Sequence, residues 1–491
     1  MQREQPPPVA TATGFVLLCN SVKPQAYDLV IIGCGPAGEK AAAQAAYFGK
    51  RVAVIERAPR PGGAAVHTGT LPSKTLRETA LYLSGHRTRQ LYGVAVQLDT
   101  RATLSRLMER KDAIADDETE RILANLRKHD VDLIYGNASF ADANTVSVVG
   151  AGGATRAVTG EFILIATGSV PRQPDDIDFA DDRIHDSDEV LQIEELPRSL
   201  IILGAGVIGC EYACMFAALG IDVTLVDSRT TLLGFLDDEI SERLAVAMKN
   251  LGIELIAGQR WGAVQRSGDT VTAELADGRR LEAEQLLFAA GRVGCTDSLN
   301  LQAAGLSANV RKNLDVDDEY RTAVPHILAV GDVIGFPALA SVSMEQARVA
   351  VCCAFGFDYK KTIASLMPYG IYTIPEVSSV GETEQSCAEL NIDYVVGRAL
   401  YKENQRGMIT GDHEGITKLI VEVASRRLLG VHVIGERASE LVHIGQAAIQ
   451  LGARVDLFID MVFNYPTLAE SYKYAAYQCL AALAERTGRR S

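Results

Sequence analysis

The feature that most constrains this chain is a glycine fingerprint between two apolar runs, and it occurs twice. In the first copy Leu29 to Ile32 leads into Gly33-Cys34-Gly35-Pro36-Ala37-Gly38, then an alanine-rich stretch, then Val52 to Ile55 and the pair Glu56-Arg57. The apolar runs predict two buried parallel strands, and the alanines between them predict a helix. Gly33 serves the tight turn, Gly35 the close approach of backbone to a pyrophosphate, and Gly38 the packing of helix on strand. The helix start at Pro36 and Ala37 offers free N–H groups to the phosphates. Glu56 stands about 20 residues past the glycines, where an acid can accept bonds from an adenosine ribose. The second copy runs from Leu200 to Leu203 through Gly204-Ala205-Gly206-Val207-Ile208-Gly209 to Val223 to Val226 and Asp227. Two such folds in one chain suit two dinucleotides that meet, a bound flavin and an exchangeable nicotinamide.

The second acceptor strand mixes signals. Asp227 favours NAD, since its carboxylate accepts from a free ribose 2′-OH and repels a 2′-phosphate. Arg229, two residues on, offers a guanidinium that can hold that phosphate with two bonds. On residue type alone Arg229 is equally well a solvated loop arginine, and both readings stand.

Composition narrows the partners. A chain of 491 residues has a prior of about three domains, and a net charge of −14 without a long basic run argues against nucleic acid or an anionic membrane surface. No stretch approaches the roughly 18 apolar residues of a membrane span. Residues 1–25 hold Pro6-Pro7-Pro8 and a short apolar run from Phe15 to Cys19, which lacks the basic start and cleavage pattern of a secretory signal. They read as a loose extension on a cytoplasmic protein. The nine cysteines are odd in number and irregularly spaced, with no C-x-x-C, so neither a disulfide framework nor a metal site is expected.

After Glu56 comes Pro61-Gly62-Gly63-Ala64-Ala65-Val66-His67-Thr68-Gly69-Thr70-Leu71-Pro72-Ser73-Lys74. This loop resembles that of the flavoprotein disulfide reductases, which carry a redox cysteine pair between the glycines and Pro-Ser-Lys. Aligned on Gly62-Gly63 and Pro72-Ser73-Lys74, the cysteine positions are Ala65 and Thr70, so thiol–disulfide exchange is excluded here. His67 reads as a loop histidine satisfied by backbone. In the same family a C-terminal His-Pro-Thr-x-x-Glu supplies acid–base chemistry to thiols. Here the segment is Tyr465-Pro466-Thr467-Leu468-Ala469-Glu470, and tyrosine, with a pKa near 10, does not replace imidazole at neutral pH.

The resemblance continues in Ala166-Thr167-Gly168, Gly291-Arg292 and Gly331-Asp332, and it implies an α/β fold of two Rossmann-type domains followed by an α+β dimerisation domain. The expected divisions are an FAD-binding segment at 26–168, an NAD(P)-binding domain at 169–292, a central FAD-binding segment at 293–366 and a dimerisation domain at 367–491. Residues 100–130 suit a long amphipathic scaffold helix. By resemblance Ala138, Thr167, Gly168, Gly291 and Asp332 approach cofactor, and the helix near Ala340 points its N-terminus at the flavin ring.

Within the family the chain is most similar to the soluble (Si-specific) pyridine nucleotide transhydrogenase branch, through LLGFLDDE at 232–239, YTIPEVSSVGETE at 372–384 and FNYPTLAE at 463–470. This branch implies hydride transfer between NADPH and NAD+ through non-covalent FAD, with NADP+ and NADH as products, in a homodimer or larger homo-oligomer. It also implies that Lys74 pairs with Glu211 beside the reacting rings, whereas on sequence alone Glu211 reads as an acid at a helix start. A diaphorase or oxidase of the same fold, and a non-catalytic FAD-bound module, are the other readings.

Overall fold

The computed structural model describes residues 25–85 and 100–488, so the expected N-terminal extension lies outside the described residues except for Gln25. The first fingerprint sits in a seven-stranded sheet. Its order is Asp132–Tyr135, Val52–Glu56, Gln25–Ile32, Thr155–Ile165, Thr145–Val149, Asn137–Asp142, with Ile327–Ala329 also paired to Thr155–Ile165. The strands nearest the fingerprint are parallel and pair in register, Leu29 with Val52 and with Phe162. Leu29, Val30 and Ile31 are fully buried, as expected of a parallel strand covered on both faces. The strand Ile327–Ala329 returns from far along the chain, so the segment ending in Gly331-Asp332 completes the first nucleotide unit.

The second fingerprint sits in an all-parallel five-stranded sheet, in the order Glu254–Ala257, Asp222–Asp227, Ser199–Leu203, Gln285–Phe288, Ile184–Asp186. A three-stranded antiparallel meander from Trp261 to Ala283 packs on it through Val264, Val271 and Ala273. The short antiparallel pair Ser169–Pro171 and Arg292–Gly294 carries the chain out of the first unit and back. The third unit is an antiparallel sheet of Tyr369–Ile371, Val377–Gly381, Leu428–Ile434, Ile416–Glu422 and Tyr394–Leu400, covered by the helices Ala438–Gln450 and Ser471–Thr487. The architecture is the expected one, two Rossmann-type units and a C-terminal α+β unit. No described helix is long and apolar enough to cross a membrane.

The scaffold helix runs Thr100–Lys128, buries Leu104, Leu107, Ile122 and Leu126, and ends on Arg127 and Lys128, whose charge suits a helix C-terminus. The helix after Asp332 begins at Ala340 and runs to Phe355, where Gly356 at φ +68° stops it. Tyr372 to Glu376 form no regular element. Strand pairing stops at Ile371 and resumes at Val377. Pro375, which has no N–H, lies in the irregular strap between them.

The second and third units are joined by buried charge. Lys418, only 1 % exposed, donates to Asp237 at 2.6 Å and pairs with Glu239 at 3.1 Å and with Glu384. Arg398 also holds Glu239, at 2.8 Å. Asp237 and Glu239 belong to the nucleotide unit, Lys418 and Arg398 to the C-terminal sheet, and Glu384 opens the helix Glu384–Glu389 of the same C-terminal unit. These three carboxylates are close enough to share a cation, and the Lys418 ammonium already contacts all three.

Candidate functional site

Both fingerprints open into one cleft of about 1350 Å³, larger than the roughly 300–1,000 Å³ of a single small-ligand pocket. At its first turn Gly33 has φ +102°, and a Cβ there would lie 2.5 Å from the Ala166 carbonyl oxygen. The turn is therefore closed to any other residue. Gly35, Pro36 and Ala37 follow on the lining, with Glu56, Arg57, Gly63, Ala138, Thr167, Gly168, Asp332 and Ala340. From the second fingerprint come Gly204, Gly206, Asp227 and Arg229, joined by Gly291. Three expected cofactor residues do not line the cleft. A Cβ on Gly38 would sit 1.9 Å from Gly33 O, and one on Gly209 1.9 Å from Gly204 O, so both serve helix-on-turn packing behind the site. Gly62, at φ +128°, begins the Gly63–His67 helix against Val66.

The two acids are held in the same way. Glu56 accepts from the Cys34 and Ala58 N–H groups, each at 2.8 Å, and Asp227 accepts from the Ala205 N–H at 2.6 Å. Asp227 alone carries a cation. Arg229 closes on it through Nε at 2.9 Å and Nη2 at 2.8 Å, and its own backbone N–H adds a third bond at 2.8 Å. Burial works against ionisation of Asp227, but the hydrogen bonds from Arg229 prevail and hold the carboxyl below its usual range. Their pairing raises the Arg229 guanidinium in turn.

Between the fingerprints lie the two expected catalytic side chains. Lys74 Nζ, on the helix Thr70–Leu83, donates to Glu211 Oε2 at 2.7 Å, bringing together residues far apart in sequence. Glu211 stands in the second turn of the helix Val207–Ala218 and is 8 % exposed. Its other oxygen accepts from the Tyr372 N–H at 2.9 Å, and the Lys74 ammonium lies 4.9 Å from the centre of the Tyr372 ring. The carboxylate is thus gripped from two elements. Ala65 and Thr70 line the cleft beside Lys74. His67 bonds its own loop, with Nε2 3.0 Å from the Pro61 carbonyl.

A polar chain missed by sequence reasoning crosses the floor. Asp332 accepts from Ser169 Oγ at 2.9 Å, and Arg292 reaches Ser169 Oγ at 2.9 Å, Ser187 Oγ at 3.3 Å and Asp188 at 3.1 Å. Burial pushes the Asp188 carboxyl up, against the pull of Arg292. Arg292 directly follows Gly291 in the sequence, and that adjacency was the available signal. Asp188 and Ser169 gave none. From the C-terminal unit Pro368, Gly370 and Tyr372 line the cleft; Tyr465 does not, and is 67 % exposed.

Residues 27–351 match the family model described as pyridine nucleotide-disulphide oxidoreductase, and residues 367–476 match its dimerisation domain. The chain is 46% identical over 451 residues to the soluble pyridine nucleotide transhydrogenase of Mycobacterium bovis (strain BCG / Pasteur 1173P2), covering 92% of this chain and 96% of that protein. With the protein of the same name from Colwellia psychrerythraea it shares 41% identity over 460 residues, 93% of this chain and 98% of the relative. Among solved structures, the Cu(II) complex of the HOCl-induced flavoprotein disulfide reductase RclA from Escherichia coli superposes with a TM-score of 0.84 at 27% identity, covering 92% of this chain and 99% of that one.

Proposed function

The chain belongs to the pyridine nucleotide-disulphide oxidoreductase family, and from that premise we propose that it transfers a hydride between NADPH and NAD+ through bound FAD. The observation that carries this reading is one cleft with two dinucleotide turns and a Lys74–Glu211 pair between them, with Ala65 and Thr70 at the redox-cysteine positions. Disulfide substrates are out of reach of such a site.

The residues present fit FAD. The Gly33 turn tolerates no Cβ, Glu56 is fixed at the ribose end, and Thr167 Oγ1 is buried without a partner among the described residues, as a group awaiting a ligand would be. When bound, FAD accepts a hydride from one nicotinamide and gives it to another. Gly33, Gly35, Glu56 and Asp332 would hold it, and the N-terminus of the Ala340–Phe355 helix would present its free N–H groups to the cofactor. Lys74 places positive charge beside the reacting rings, and Glu211 with Tyr372 keeps that ammonium from swinging out. Gly204, Gly206 and Asp227 receive the nicotinamide dinucleotide. A single such site serves both substrates in turn, with Asp227 suited to the free ribose and Arg229 to the 2′-phosphate. The dimerisation-domain match supports self-association, and a cytoplasmic homodimer is the assembly we assign.

The test is anaerobic. NADPH should bleach the visible absorption of the purified yellow protein, and NAD+ should restore it without another acceptor. Bleaching that only quinone, dye or oxygen reverses would make the protein a diaphorase or oxidase instead.

A further inference from the structure

The strap 372–376 reaches from the C-terminal sheet to the active pair. Its contacts form a closed ring. Tyr372 N–H donates to Glu211 Oε1 at 2.9 Å, and Glu211 Oε2 accepts from Lys74 at 2.7 Å. Three residues along the same helix as Lys74, Arg77 is 5 % exposed and turns its guanidinium onto the strap. Its Nη2 and Nε reach the Thr373 carbonyl at 2.8 and 3.1 Å, and its Nη1 reaches Glu376 Oε1 at 3.3 Å. Glu376 in turn accepts from Ser439 Oγ at 3.1 Å, and its own carbonyl accepts from the Gly435 N–H at 2.8 Å. Side chains one turn apart on a helix share a face, so Lys74 and Arg77 act on the strap from the same side.

We propose that Arg77 is a positioning residue for hydride transfer: by clamping the Thr373 carbonyl and Glu376 it keeps the Tyr372 N–H on Glu211, and so sets how much of the Lys74 charge is left for the bound cofactor. Arg77 does not line the cleft and touches neither nucleotide turn. Its effect passes through Glu211. The Tyr372 N–H draws off part of the carboxylate's charge. When the strap drifts, that donor is lost, Glu211 binds the Lys74 ammonium more fully, and the flavin feels a more negative field. A buried guanidinium with two bonds to one carbonyl does this better than a lysine, whose ammonium lacks the planar fork. The inference rests on the function proposed above, and its deciding readouts are the flavin potential and the strap exchange.

The experiment is a double-mutant cycle on the FAD-loaded protein, in wild type, Arg77→Gln, Glu211→Gln and the double variant. Flavin midpoint potential is set with a chemical reductant, and amide exchange of the peptide containing residues 370–376 is followed by mass spectrometry. Arg77→Gln should speed strap exchange, move the potential in the negative direction and slow reduction by NADPH about three- to tenfold, the loss of one ordinary hydrogen bond at the site. KM should hold, because the nucleotide contacts are elsewhere. In the Glu211→Gln background the same change should leave the potential where it is, since the carboxylate it acts through is gone. Arg77→Lys should recover part of the rate, and it replaces Arg77→Gln in the cycle should that variant fail to load FAD. Equal shifts of potential in both backgrounds, or faster strap exchange at unchanged potential, would overturn the proposal. A protein that gives the expected cycle yet cannot pass a hydride to NAD+ would refute only the function assigned above.

Discussion

Replacing Arg229 with alanine should separate the two nicotinamide substrates. In the structure the guanidinium is spent on Asp227 through two side-chain bonds at 2.9 and 2.8 Å. A 2′-phosphate must draw it away or share it. A charge-assisted contact to phosphate contributes about 1.5–3 kcal/mol. The Asp227 contact it displaces is worth about 0–1 kcal/mol, because the Arg229 side chain is 54% exposed and solvent screens the pair. The difference is about 0.5–3 kcal/mol, so Arg229→Ala should lower kcat/KM for NADPH about two- to 150-fold. NADH should gain slightly or stay level, since Asp227 then presents free lone pairs to the ribose. Asp227→Asn should do the reverse and cost NADH more than NADPH. The assay is steady-state reduction of a one-electron dye by each cofactor at fixed ionic strength. Equal losses for NADPH and NADH in Arg229→Ala would show that the arginine belongs to Asp227 alone and reads no phosphate.

Other outcomes can be checked alongside. The purified protein should carry about one non-covalent FAD per chain, and a preparation that stays colourless with added FAD would remove the basis of the site. Lys74→Met should slow reduction by NADPH and reoxidation by NAD+ and shift the flavin potential negative, while Glu211→Gln shifts it positive; unchanged values in both would refute the assigned electrostatics. Alkylation of thiols should leave turnover nearly intact, given Ala65 and Thr70 in the cleft and burial that raises the Cys34, Cys210 and Cys214 thiols; lost activity would point to a working cysteine. Asp227 has a folded pKa below its unfolded value, so its contribution to stability is present above about pH 4 and is lost as pH falls through the folded value. Acid titration of unfolding should therefore be shallower in Arg229→Ala than in wild type.

How far the site could be read in advance follows from the range of each constraint. The turns at Gly33 and Gly204 were legible because a positive φ and a forbidden Cβ are local demands that glycine alone meets. The buried strands were legible for a similar reason, since a parallel strand covered on both faces must be apolar throughout. Lys74 and Glu211 are separated by most of two domains, and residue types gave no reason to join them; only resemblance did. The identities of Asp227 and Arg229 were visible, but the clasp between them was not. Arg77 and Tyr372 were invisible as a pair because a strap without regular pairing takes its course from whatever packs on it, and no periodicity encodes that.

The buried Lys418 joint has a consequence for traffic through the cleft. An apolar seam between two units can slide, losing and regaining contact by degrees. An ammonium held across the joint by Asp237 and Glu239 resists this, because parting the units breaks both charge-assisted contacts at once, each worth about 1.5–3 kcal/mol. At that cost a swung-open arrangement would hold under about one molecule in a hundred. One dinucleotide must therefore leave and the next enter past standing walls. Turnover should then be paced by escape through the mouth rather than by a hinge, and a thickened solvent should slow it in proportion to viscosity.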